Sequence, residues 1–115
     1  MKRFFNSFGF AIEGLQELFA NTPNSRVHLG VGTLVIIAGW YYHVSKAEWL
    51  VLILCIGLVI AFEALNTALE HLTDLAHPDH HPLAKKAKDV SAGAVLLMAL
   101  TAAACGLVIF LPKIL

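Results

Sequence analysis

Charge is what this sequence has least of. Among its 115 residues there are 8 lysines and arginines and 8 aspartates and glutamates, 14% of the chain, against 58% hydrophobic residues. A soluble domain carries about 25% charged residues, so this composition excludes an ordinary water-facing globule and reads as a membrane protein forming one domain over residues 1–115. The formal net charge is zero and no run of basic residues is present, so nucleic acid is not an expected partner.

Other things are missing as well. The only two cysteines, Cys55 and Cys105, sit inside apolar runs without metal-type spacing, which excludes a zinc or disulfide framework and leaves them as packing residues. No glycine-rich phosphate loop occurs. The "GVG" at Gly30–Gly32 lies within an apolar segment rather than after a strand, which excludes the architecture of soluble P-loop kinases. Ser7, Ser25, Ser45 and Ser91 have no histidine and acid at matching helical positions, so a serine hydrolase is without support. Lys2 and Arg3 are followed by Glu13 and Glu17 and by no small-residue cleavage site, so no removed signal peptide is expected.

What the chain does have is long apolar segments. Between Arg26 and Lys46 about 19 residues carry no charge, enough for a helix to cross the hydrocarbon core. After Glu48 a shorter run of about 14 reaches Glu63, so a second crossing has to continue through the acidic stretch toward Leu69. A third runs from Val90 to Pro112, and its early Ser91, Ala92, Gly93 and Ala94 permit close approach of another helix. Phe4, Phe5, Phe8, Ile12, Leu15, Leu18 and Phe19 form an apolar stripe at helical spacing, opposed by Asn6, Glu13 and Gln16. The expected fold is an all-α membrane protein with an N-terminal amphipathic surface helix at about 3–20 and three transmembrane helices at about 27–45, 49–70 and 90–111. Pro23 in "NTPNS" breaks the first helix from the second.

Trp40, Tyr41, Tyr42 and Trp49 flank the short "HVSKAE" turn as interface aromatics. Lys2, Arg3 and Arg26 fall on one side, joined after two crossings by Lys85, Lys86 and Lys88, whereas the other side has Lys46 and Lys113. The N-terminus and the "HPDHHPLAKKAKD" loop are therefore expected on the cytoplasmic side.

The chemistry is concentrated in "EALNTALEHLTD". At about 100° per residue, Glu63, Asn66, Glu70 and Asp74 fall at roughly 0°, 300°, 340° and 20°, one narrow polar stripe. An acid at a span centre costs about 2.5–3.5 kcal/mol on insertion scales, so several on one face need cations, water or protonation. Carboxylates beside an amide suit magnesium, which completes its shell with phosphate and water. Lys85, Lys86 and Lys88 on the same membrane side suit phosphate. Acids for metal and lysines for phosphate together suggest phosphoryl transfer. The plainer readings are an interhelical polar seam in a non-catalytic oligomer for the stripe and topology-setting, headgroup-binding lysines for the cluster. His71, His77, His80 and His81 resemble a metal patch, but their spacing across Pro78 and Pro82 favours a fixed turn.

The segments "EALNTALEHLTDL" and "HPLAKKAKDVSAGAVLL", with the pattern E-x-x-N-[ST]-A-[IL]-E and then A-K-D-x-x-x-x-A-V, resemble the prokaryotic diacylglycerol kinase family, which also includes undecaprenol kinases. The resemblance covers essentially the whole chain, more weakly at its N-terminus. It implies a small homotrimeric enzyme of the bacterial cytoplasmic (inner) membrane, multi-pass, with active sites shared between subunits on the cytoplasmic side. Such an enzyme uses magnesium and ATP to phosphorylate a lipid alcohol. By match of position it implies Glu63 as the base near the lipid hydroxyl, Glu70 as a metal ligand, and Asn66 as the amide between them. Lys88 and Asp89 correspond to the pair at the ATP phosphates and nucleoside, Asp79, His80 and His81 to a nucleotide-contacting loop, and Arg3 and Phe10 to N-terminal nucleotide contacts. One position departs from the pattern: where the family usually has a metal-binding glutamate, four residues before Arg26, this chain has Thr22. Glu13 or Glu17 is a candidate replacement.

The expected function is thus ATP- and magnesium-dependent phosphorylation of a membrane lipid alcohol, diacylglycerol to phosphatidic acid first, with undecaprenol as the alternative acceptor. The rival of another class is a non-catalytic membrane oligomer with a polar helix seam.

Overall fold

The structure, a computed structural model, describes residues 1–115. It is entirely helical: α1 Lys2–Asn21, α2 Pro23–Tyr41, α3 Lys46–Ala76 and α4 Pro82–Ile114. Each boundary has a local cause. Thr22 is extended, with φ −119° and ψ 104°, as the residue before a proline prefers, and Pro23 then occupies the first turn of α2, where its missing N–H costs nothing. The fully buried Ser25 fixes this one-residue break by donating its hydroxyl toward the carbonyls of Leu18 at 3.0 Å and Thr22 at 2.6 Å.

Helix α3 starts with a capping box. Ser45 Oγ accepts from the Glu48 N–H at 3.1 Å, and the Glu48 carboxylate accepts from the Ser45 N–H at 2.8 Å, satisfying two otherwise orphaned donors. From there α3 runs unbroken through the whole acidic stretch to Ala76, so all four stripe residues stand on one continuous helix.

The start of α4 corrects the expectation that the lysine cluster lies in a loop. His81 is its N-cap, with the ring nitrogen accepting from the Leu83 N–H at 3.1 Å, and Pro82 opens the first turn. Alanine and lysine are strong helix formers, so Lys85, Lys86, Lys88 and Asp89 are helical, and only residues 77–81 connect α3 to α4.

Helix α3 is the central element, packed on both α2 and α4. At the end remote from the acid stripe, buried Val44, Leu52 and Ile109 gather with Val35, Trp49 and Phe110. There Gly39 faces the Trp49 ring so closely that a Cβ would fall 2.8 Å from Cη2. Lys113 Nζ reaches the Glu48 carboxylate at 2.9 Å across the same end.

Only 11 of 115 residues are buried, while Leu, Ile, Val and Phe side chains along every helix are exposed. So much uncovered apolar surface belongs in lipid or against other helices, not in water. Helices α3 and α4 are each long and apolar enough to cross a membrane. Helix α2, at 19 residues, carries Asn24, Ser25, Arg26 and His28 in its first two turns and is less apolar than either.

Candidate active site

The acid stripe is positioned by its turn period, and the structure shows how each member is held. Glu63 is 3% exposed, turned toward α2, where His28 Nε2 stands 3.6 Å from its Oε2. One turn on, Asn66 is buried and donates its Nδ2 to Glu70 Oε1 at 3.2 Å. The Asn66 Oδ1 is buried without a partner. Leaving such an oxygen unsatisfied costs about 1–3 kcal/mol, the kind of local expense that marks a place kept for something else to bind. Glu70 is half-buried, and Asp74, one turn further, pairs with Lys88 of α4.

The turn between α3 and α4 closes a second part of the site. Asp74, Asp79, His80, His81, Lys85 and Lys88 line a polar cleft of about 290 Å³. The histidines shape it: His77 and His81 lie with ring centroids 4.6 Å apart, and His77 Nδ1 is 3.1 Å from the Asp79 carbonyl. Of the two helix-borne ammonium groups at the cleft, Lys88 is held by Asp74 and Lys85 by Asp89 at 2.6 Å. Both pairs are solvent-accessible, so each is worth at most about 1 kcal/mol and exchanges readily for a stronger anion such as a polyphosphate.

Beside the stripe, Phe62, Leu65, Asn66, Leu69, Leu83 and Val90 belong to the wall of an open, mostly apolar groove of about 590 Å³ between α3 and α4, with Lys86 and Ser91 as further polar members. Asn66 therefore stands where carboxylate stripe and aliphatic surface meet.

The structure thus brings Asp79, His80, His81 and Lys88 to one cleft, and Asn66 and Glu70 into hydrogen-bonded contact. It places Asp89 against Lys85, and Arg3 and Phe10 on exposed α1, lining neither the cleft nor the groove. Glu17, a candidate replacement for the missing glutamate at position 22, lies 3.7 Å from His71, the neighbour of Glu70 on α3. Thr22 itself caps the break between α1 and α2.

No three histidine, cysteine, aspartate or glutamate side chains converge to cage a metal ion. The donor set that is present, the Glu70 carboxylate and the unpartnered Asn66 Oδ1, is all oxygen, and it fits a hard divalent cation that takes few protein ligands and completes its shell with phosphate and water.

His28 escaped the sequence reading. The signal was available, since it is the first titratable side chain inside an otherwise charge-free span, but its partner Glu63 is 35 positions away, on another helix.

A family model described as prokaryotic diacylglycerol kinase matches residues 9–110. Undecaprenol kinase of Bacillus subtilis (strain 168) is 43% identical over 114 residues, 99% of this chain and 93% of that protein. Diacylglycerol kinase of Synechocystis sp. is 43% identical over 110 residues, 95% of this chain and 63% of that longer protein. Diacylglycerol kinase of Escherichia coli (strain K12) is 32% identical over 102 residues, 87% of this chain and 82% of that one.

Proposed function

The chain belongs to the prokaryotic diacylglycerol kinase family and is a membrane-bound lipid kinase, and from that premise we propose that it uses magnesium-ATP to phosphorylate the hydroxyl of a membrane lipid at the stripe on α3. The observation that carries the proposal is the juxtaposition at Asn66 and Glu70: a buried amide oxygen without a partner beside a half-buried carboxylate. A water-facing polyphosphate cleft opens on one side and an aliphatic groove on the other.

In this reading Glu63 accepts the proton of the lipid hydroxyl as its oxygen attacks the terminal phosphorus of ATP, and ADP leaves. Burial keeps competing water from Glu63. Glu70 with Asn66 Oδ1 holds magnesium, which when bound neutralises charge on the phosphates. Lys88, released from Asp74, takes the charge that develops on the transferred group. Asp79, His80, His81 and Asp89 contact the nucleotide, and Arg3 and Phe10 approach it from α1.

The acceptor's hydroxyl lies at headgroup depth and ATP arrives from water, so the site belongs at the cytoplasmic interface of the bacterial inner membrane. Helices α2, α3 and α4 make three crossings, and α1 lies along the surface with Phe4, Phe5, Phe8 and Ile12, all exposed, in the headgroup region. Three copies assemble, covering the apolar flanks that one chain leaves open and completing each site with residues of a neighbour.

Diacylglycerol is the acceptor we propose first. Undecaprenol is a second reading, favoured by the end-to-end match to the Bacillus subtilis enzyme. Purified protein given magnesium-ATP and each lipid separately, with the phosphorylated lipid measured directly, decides between them. Product from neither lipid would overturn the proposal.

A further inference from the structure

On the reading of Glu63 as the base, we infer that His28 is the positioning residue that holds this base in its reactive orientation. The argument begins with burial. The Glu63 side chain is 4% exposed, and a carboxylate in such a place needs a compensating partner. The stripe does not provide one: Asn66 spends its amide on Glu70, and Lys88 is committed to Asp74. The partner comes from another helix. His28 on α2 sets its Nε2 3.6 Å from Glu63 Oε2 and is itself three-quarters covered, with 23% of its side chain exposed.

The surroundings of His28 leave it no rival. Its flank is part of the wall of an apolar cavity of about 270 Å³, shared with Val31, Gly32, Leu52, Ile56 and Val59. The imidazole is therefore held between aliphatic side chains on one face and a carboxylate on the other. Engaged through Oε2, Glu63 keeps Oε1 for the acceptor hydroxyl.

Orientation matters here because a misplacement of about 1 Å at the reacting atoms costs on the order of 100-fold in rate. His28 touches neither lipid nor nucleotide in this assignment. It acts through Glu63, so its loss reads in turnover rather than in binding.

The test uses the full chain in lipid-containing micelles, with His28→Ala, His28→Gln, Glu63→Gln and the His28→Ala/Glu63→Gln double variant. The readouts are kcat, KM for lipid and for magnesium-ATP, and thermal unfolding. The expected result is a kcat loss on the order of 10- to 100-fold in His28→Ala with both KM values within about twofold. His28→Gln, which retains an N–H donor, recovers most of that loss. In the Glu63→Gln background, His28→Ala has no further effect, because its target is gone.

A kcat for His28→Ala within twofold of the parent overturns the inference. So does an equal fractional loss with and without Glu63, or a loss that follows unfolding temperature with Gln no better than Ala. Those results would leave His28 as a pin between α2 and α3. A parent protein that phosphorylates no lipid overturns the underlying function instead, which keeps the two failures apart.

Discussion

Asn66 gives its one recorded side-chain hydrogen bond to Glu70, at 3.2 Å, and leaves its own buried oxygen unpaired. That arrangement is unfavourable for the isolated fold and favourable for a ligand, so stability and activity should separate at this position. Asn66→Leu removes the orphaned oxygen at the loss of one hydrogen bond worth about 1 kcal/mol. Its unfolding midpoint should stay within about 1 kcal/mol of the parent, while phosphorylated lipid falls at least 100-fold on this assignment. An active Asn66→Leu would sink the ligand role of the amide.

Glu63 and Glu70 stand two turns apart, about 10 Å of helix rise, and their proposed roles predict different defects. Glu63→Gln should lower kcat on the order of 10²–10⁴-fold, the usual worth of a positioned general base, with the magnesium requirement unmoved. Glu70→Gln should raise the magnesium concentration for half-maximal rate at least 10-fold, because one charged oxygen ligand is lost. Titrating magnesium against lipid phosphorylation in both variants checks this, and a shared response would make the division of labour wrong.

How much of this was legible in the sequence depends on the separation of the residues involved. The stripe on α3 was readable because Glu63, Asn66, Glu70 and Asp74 lie within twelve positions of one helix, and the helical period alone puts them on one face. The partners were not readable, since His28 and Lys88 come from other helices and no local rule pairs them with Glu63 and Asp74. The lysine segment was read as loop because Pro78 and Pro82 suggested a longer break. The His81 cap and the tolerance of a helix's first turn for Pro82 bring α4 to its start eight residues before the apolar run at Val90.

The Lys88–Asp74 pair predicts a nucleotide defect rather than a folding one. Both groups are accessible, so Asp74→Asn should change stability by no more than about 1 kcal/mol. Lys88→Ala should raise KM for ATP on the order of 10-fold, with KM for lipid unchanged, because a single charge-assisted contact to phosphate is worth about 1.5–3 kcal/mol. Steady-state kinetics with each substrate varied in turn tests this, and an effect confined to the lipid would reassign the lysine to headgroup binding.

At the opposite end of the bundle, Gly39 tests the fold independently of the chemistry. A Cβ there would lie 2.8 Å from Trp49 Cη2 and 3.1 Å from Cζ3, and the indole, packed beside Val44, Leu52 and Ile109, has little room to yield. Gly39→Val should therefore destabilise by about 1–3 kcal/mol, the usual range for overpacking. Below its unfolding transition the variant should keep the parental KM values, since the stripe lies at the other end of α3. Gly39→Val combined with Trp49→Leu should recover much of the loss, because the smaller side chain vacates the space that the valine needs. Equal stability of Gly39→Val and the parent would mean that α2 and α3 do not approach each other here as described.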